Sequence, residues 1–210
     1  MAIQFDLDVA CKHLRSVDPI MAGLIEALPP MQISASLQGS SFEALLRAIN
    51  GQQLSVKAAA TIHGRFLDLF PQRRPEPQGL LDMPEDAIRS AGLSRNKTAA
   101  VQDLAAKCLD GTVPKLAELD AFDDEAIIER LVQVRGIGRW TAEMLLIFQL
   151  GRPDVLPVDD LGVQRGYQRA YKKRSLPKPK ALARYGRPWK PYRSVAAWYL
   201  WRAGDMESPL

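Results

Sequence analysis

Two stretches of this chain carry residues whose types and spacing can do chemistry. The run Leu131-Val-Gln-Val-Arg-Gly-Ile-Gly-Arg-Trp-Thr-Ala142 reads as two helices joined by a tight turn, and Leu156-Pro-Val-Asp-Asp160 places a pair of carboxylates downstream of it. Gly136 and Gly138 flank Ile137, and glycine admits positive φ and close approach of another backbone. The helix that follows opens with N–H groups that have no intrahelical acceptor, which makes a site for a DNA phosphate. A purely structural turn would use the same glycines. Asp159 and Asp160 are equally suited to capping a helix, where a side-chain acceptor and the helix dipole favour aspartate. Both readings can hold, with Asp159 as the cap and Asp160 pointing into a cleft. A phosphate grip followed by a placed carboxylate suggests an enzyme acting on DNA.

The charge distribution agrees. The net charge of +4 hides an asymmetry: between Leu161 and Gly204 there are twelve Lys or Arg and no Asp or Glu, leaving sixteen basic and twenty-four acidic residues elsewhere. One basic region on an acidic body is built to meet a polyanion. Tyr167, Tyr171, Tyr185, Trp189 and Tyr192 interleave with those charges, which favours nucleic acid over a general solubility patch. Cys11 and Cys108 are the only cysteines, too few for an iron–sulfur cluster, and are expected to be buried free thiols. His13 and His63 stand apart from each other and from any cysteine, so no side-chain metal site is expected. Met1-Ala-Ile-Gln-Phe-Asp-Leu-Asp8 resembles no secretion signal, and no apolar run approaches bilayer length, so a cytoplasmic protein without a membrane is expected.

The elements that must position these residues are helical almost throughout. Ser41 is placed to cap a helix with Phe42, Leu45, Leu46 and Ile49 at its apolar spacing, and a second helix after Gly51 should bury Ala58, Ala59, Ile62, Phe66 and Leu69. Pro71 to Pro77 reads as a loop. Pro84 opens a short helix ending near Gly92, Ser94 caps a longer one closed by Asp110-Gly111, and Phe122-Asp123 starts the helix leading to Leu131. Beyond the hairpin, helices are expected from Arg139 to Leu150, from Asp160 to Tyr171, and from Pro191 to Ala203, with Lys172 to Lys180 as a basic loop. Only residues 31–37 hint at a strand. The fold class is all-α, with two helical lobes flanking a DNA-binding active-site cleft. The expected divisions are N-terminal helices over 1–40, a central bundle over 41–151 ending in a helix-hairpin-helix at 131–150, and a basic C-terminal lobe over 152–210 that packs with the first.

At this point the chain resembles the helix-hairpin-helix–GPD superfamily of base-excision glycosylases, and within it the 3-methyladenine DNA glycosylase II family. The matching segments are Ile49-Asn-Gly-Gln-Gln-Leu-Ser55, Ala91-Gly-Leu-Ser-Arg-Asn-Lys97, Val134 to Ala142, Leu156 to Asp160, and Trp189-Lys-Pro-Tyr-Arg-Ser194. The resemblance makes Asp160 the catalytic carboxylate, stabilising an oxocarbenium-like sugar and helping to position or deprotonate a water. It implies that the target nucleotide is flipped out of the duplex. Where related lyases carry a lysine nucleophile this chain has Trp140, so a monofunctional enzyme leaving an abasic site is implied. Trp140 and Trp201 would line the base pocket, stacking on cationic alkylated bases. Trp198 is expected in the core, and Met144 replaces an aromatic of some relatives. Gln53, or second Leu54, would be the wedge that refills the stack, an ordinary interhelical turn being the alternative.

Gly136, Gly138, Arg139 and Thr141 would grip phosphate at the hairpin, and Arg165, Arg169, Lys190 and Arg193 would grip the strand around the lesion. No cofactor is implied as a requirement; a structural Na+ or K+ on the carbonyls of Val132, Val134 and Ile137 is allowed. The implied partner is double-stranded DNA containing alkylated bases, met by a monomer, in the nucleoid if the source is bacterial and the nucleus if eukaryotic. A non-enzymatic module that recognises damaged DNA is the alternative, and Asp160 separates the two. Which of 3-methyladenine, 7-methylguanine, hypoxanthine, ethenoadenine, 1-methyladenine or 3-methylcytosine is preferred stays open.

Overall fold

A computed structural model describes residues 5–31 and 40–205; the strand hint at 31–37 falls almost wholly outside them. All regular structure among the described residues is helical. The chain opens with α1 (Leu7–Val17) and α2 (Pro19–Ala27), whose N-caps Asp6 and Asp18 each accept two backbone N–H bonds. The next helices are α3 (Ser41–Gly51), α4 (Val56–Leu67), the short α5 (Pro77–Leu81) and α6 (Glu85–Ser90), then α7 (Arg95–Leu109) and α8 (Asp124–Leu131). Helix α9 (Arg139–Phe148) follows the hairpin, and α10 (Leu161–Ala170), α11 (Pro179–Tyr185) and α12 (Arg193–Asp205) are the last helices among the described residues.

The chain divides into two compact units, one of residues 1–36 with 146–210 and one of residues 37–145. In the second, α3 packs on α4 and α7, and α5 packs on α7. Phe42, Leu45, Leu46 and Ile49 of α3 are buried with Val101 and Leu104 of α7, as their helical spacing requires. In the first unit α10 and α12 make the most intimate pair. Gly166 is the reason: a Cβ there would stand 1.8 Å from the Leu200 carbonyl oxygen, so only glycine admits that approach. Around this pair Leu14, Met21, Leu24, Val163, Trp189, Tyr199 and Leu200 form one core. Sealing such side chains from water stabilises by about 1.5–3 kcal/mol each.

Several local expectations need correction. Ser40, not Ser41, caps α3, because Glu43 stands three residues on and completes a capping box; Ser41 is buried and donates to Pro114 O at 2.7 Å. Helix α4 ends at Leu67, so Leu69 lies beyond it, and of its expected buried residues only Phe66 is sealed. The proline-rich 71–77 stretch holds a 3-10 turn, and Pro77 opens α5. Pro179, inside the expected basic loop, opens α11 in the same way. Proline is at home at a first helical position, since its missing N–H would have no intrahelical acceptor there. Asp160 itself caps α10, and Asp159 is exposed.

Candidate active site and nucleic-acid interface

The hairpin is built by its own backbone. Val134 N donates to Leu131 O at 3.1 Å, Ile137 N to Val134 O at 3.0 Å, and Ala142 N to Gly138 O at 3.2 Å. Leu131, Val134 and Ile137 are buried beneath the turn, while Gly136, Gly138 and Arg139 are exposed. Of the two glycines only Gly136 takes positive φ, at 79°. The turn is also held from outside. Arg135 N donates to Asp103 Oδ2 at 2.7 Å, and Lys107 binds Asp103 Oδ1 at the same distance. Burial alone would raise the Asp103 carboxyl, but those two donors outweigh it and hold it below its ordinary value.

Arg139 is not a loose cation. Its guanidinium takes Glu125 through two bonds of 2.7 and 2.6 Å and reaches Glu143 at 3.2 Å, and the Glu125 pairing raises its pKa further. Thr141 is buried. What this hairpin presents outward is therefore chiefly backbone, at the start of α9.

The second constellation lies wholly in the other unit. Asp160 Oδ1 accepts from Val163 N at 2.8 Å, closing the cap of α10, and from Trp201 Nε1 at 2.8 Å. Gln164 Nε2 ties the preceding Val158 carbonyl at 2.8 Å, which fixes the turn that delivers Asp160. Trp201 reaches the carboxylate because Gly162 leaves room: a Cβ there would meet Trp201 Cδ1 at 2.8 Å and Asp160 Oδ1 at 3.1 Å. Phe148 stacks on Trp201 with ring centroids 5.7 Å apart and planes 29° apart, and is itself partly exposed. A half-buried carboxylate thus sits beside an aromatic plate. Trp198 packs against the core rather than within it, with Arg202 over its ring at 5.6 Å.

Arg193 is committed elsewhere than expected. It pairs with Asp154 through Nε–Oδ1 at 2.6 Å and Nη2–Oδ2 at 2.9 Å, and also reaches Asp154 O at 2.8 Å. Ser194 Oγ next to it donates to Arg152 O at 2.7 Å and accepts from Val155 N at 2.9 Å. Together they lock the start of α12 to the segment that runs into Asp160. Arg165 and Lys190 are exposed, and Arg169 is partly buried.

In the 37–145 unit, Trp140 is 48% exposed, unusual for an indole, and Met144 is partly covered. Gln53 and Leu54 stand exposed in the turn after α3, with Gln53 at φ 60°. Cys11 is buried and Cys108 half-buried, its thiol pushed up to about 12 by burial and by Asp110. Among the described residues no group of three or more His, Cys, Asp or Glu is arranged to hold a metal, and no helix is long and apolar enough to cross a membrane.

Sequence reasoning missed Phe148, Gly162 and Lys97. The first two had visible signals: Phe148 stands four and eight residues after Met144 and Trp140 on one helix, and Gly162 and Gly166 are four apart on another.

The family described as HhH-GPD superfamily base excision DNA repair protein matches residues 46–191. DNA-3-methyladenine glycosylase 1 of Schizosaccharomyces pombe is 34% identical over 196 residues, covering 92% of this chain and 86% of that protein. A solved structure of the S. pombe 3-methyladenine DNA glycosylase in complex with abasic DNA aligns with a TM-score of 0.83 at 34% identity, covering 94% of this chain and 97% of that one. A DNA-3-methyladenine glycosidase from Bacillus halodurans aligns with a TM-score of 0.86 at 32% identity, over 98% and 92%.

Proposed function

Since the chain belongs to the HhH-GPD superfamily of base excision DNA repair proteins, we propose that it is a monofunctional DNA glycosylase that releases alkylated bases, of the 3-methyladenine and 7-methylguanine type, from double-stranded DNA. The observation that carries this reading is the contact of Asp160 with Trp201: a carboxylate for the sugar, hydrogen-bonded to an aromatic plate for the base.

In the proposed reaction the N-glycosidic bond breaks and its electron pair leaves with the base, neutralising the cation that alkylation created. Positive charge develops on the sugar, and Asp160 stabilises it. Water adds to the anomeric carbon and gives its proton to Asp160 or to solvent, leaving an abasic site. Stacking against the Trp201 plate is proposed to select electron-poor, cationic bases over ordinary ones. Met144, flexible and polarisable, shapes the range of bases accepted. Trp140 carries no nucleophile, so no covalent sugar adduct forms and borohydride should trap none.

The hairpin backbone at Gly136 and Gly138, with the exposed Arg165 and Lys190 and the partly buried Arg169, is proposed to hold phosphates. Arg139 and Arg193, paired with carboxylates, hold the protein's own segments in place instead. Gln53 or Leu54 is proposed as the wedge. The reading calls for no cofactor; Val134 O, which already accepts Ile137 N, keeps a second lone pair for a monovalent ion at the turn. The protein is taken to act as a monomer.

The test is release of methylated base from alkylated duplex by the wild type and Asp160→Asn, with duplex binding measured in parallel. Release by the wild type alone, with binding retained in both, supports the glycosylase. Binding without release from either would assign the chain to non-enzymatic damage recognition.

A further inference from the structure

The turn after α3 is backbone-strained yet tightly held. Gln53 takes φ 60°, a left-handed conformation disfavoured for any residue with a Cβ, and neither neighbour is glycine. Something outside the turn must over-determine it. Lys97, in the first turn of α7, donates from Nζ to Asn50 O and to Gln52 O, both at 2.8 Å. These carbonyls lie at the C-terminal end of α3, where helical carbonyls lack intrahelical donors and the dipole favours a cation. Gln52 Nε2 donates in turn to Gly136 O at 2.9 Å, the left-handed residue of the hairpin. Asn50 Nδ2 meets His63 Nδ1 at 3.2 Å, seating the end of α3 on α4.

We propose that Lys97 is the positioning residue of the wedge, holding Gln53 and Leu54 at a fixed offset from the phosphate-gripping hairpin. The inference rests on the wedge reading of those two residues. Lys97 is partly buried, and desolvation lowers the pKa of its ammonium from the usual lysine value. Its two backbone bonds direct its charge into the protein, so its part is to order a loop and not to neutralise phosphate. A turn already set in its inserted shape adds little ordering cost when the base leaves the stack, whereas a loose one must be ordered at that moment. The hairpin and the wedge thus act as one rigid unit inside residues 37–145.

The experiment compares single-turnover base release from a methylated duplex in which the lesion is paired with one in which it faces a mismatch. A mismatched base costs less to extrude, so a wedge defect should fade there. Lys97→Met should slow release from the paired duplex by about tenfold, the order expected from losing charge-assisted hydrogen bonds, and much less from the mismatched one. The salt slope of binding should not change, as no phosphate contact is lost. Lys97→Arg, which keeps the charge and donors, should restore most of the rate, and Lys97→Gln takes the place of the methionine variant if that one does not fold. Equal slowing on both duplexes, or a reduced salt slope, would overturn the proposal. Gln53→Ala and Leu54→Ala form the separate arm. If neither alters the paired-to-mismatched ratio, the wedge reading itself fails; if either does and Lys97→Met does not, only the role of Lys97 fails.

Discussion

Asp18 and Asp160 occupy the same unit, each at a helix N-cap, and each accepts an indole N–H, but one is walled in and the other is not. Asp18 caps α2 with Oδ1, which accepts from Ile20 N and Met21 N, while Oδ2 accepts from Tyr171 OH at 2.6 Å and Trp189 Nε1 at 2.9 Å. It is 5% exposed, and Tyr167, Tyr185 and Trp189 close the surrounding aromatic cluster. Asp160 accepts from Val163 N and Trp201 Nε1 and keeps part of its surface open. The residue type, the cap and the tryptophan are shared. What differs is access, and access decides whether a carboxylate ties a core together or meets a substrate.

The sharpest way to break that contrast is to neutralise each carboxylate. Asparagine caps about as well as aspartate, so Asp160→Asn should leave thermal stability nearly unchanged. Base release should fall by at least about 10²-fold, the scale of losing one preorganised electrostatic partner of a transition state. A variant that loses stability and activity together would mean that Asp160, like Asp18, is structural. Asp18→Ala should do the reverse: loss of the cap and of two buried partners should cost about 3 kcal/mol of folding free energy in a denaturant titration. Any base release per folded molecule should survive it.

The contrast was only half legible in the amino-acid sequence. Ser94 and Asp123 could be recognised as caps because their acceptor and the N–H it serves lie three residues apart. Asp160 stood out by its place after the hairpin. Its tie to Trp201 spans 41 residues, and those of Asp18 to Tyr171 and Trp189 span 153 and 171, distances at which no local pattern operates. Arg193 shows the same limit: its charge is visible in sequence, while its pairing with Asp154, 39 residues away, is a product of packing. The glycines four apart in α10 were a readable sign that another backbone approaches, and that approach brings Trp201 to Asp160. Asp159 and Asp160 could not be ranked as caps, because either position satisfies the same local rule.

A finer test addresses the indole rather than the carboxylate. Trp201→Phe keeps an aromatic face but removes the N–H that holds Asp160 Oδ1; kcat should fall about tenfold, the scale of one hydrogen bond to a charged group. Gly162→Ala leaves both side chains in place but sets a Cβ 2.8 Å from Trp201 Cδ1, so the ring must shift. Similar losses in kcat from both variants, with methylated-duplex binding kept, would show that the placement of the indole matters as well as its face. If Trp201→Phe is as fast as the wild type, the hydrogen bond is incidental and Trp201 serves by stacking alone.

The smallest effect separates the two aspartates by pH. Burial, and then the hydrogen bond to Asp18, push the Tyr171 phenol well above its ordinary value near 10. In the unfolded chain Tyr171 loses its proton around that ordinary value, while in the native protein it keeps it. Above about pH 10 unfolding therefore releases a proton from Tyr171, and this site's contribution to stability falls as pH rises. Below that pH the contribution is fully present. Trp201, the corresponding partner of Asp160, is an indole and has no proton to lose in this range. Thermal melts between pH 9 and 11, a window bracketing the usual tyrosine pKa near 10, should decline more steeply in the wild type than in Tyr171→Phe. Asp160→Asn should decline just as the wild type does. Parallel curves for wild type and Tyr171→Phe would mean that Asp18 and its phenol are more open to water than their burial indicates, and the contrast in access would lose its physical basis.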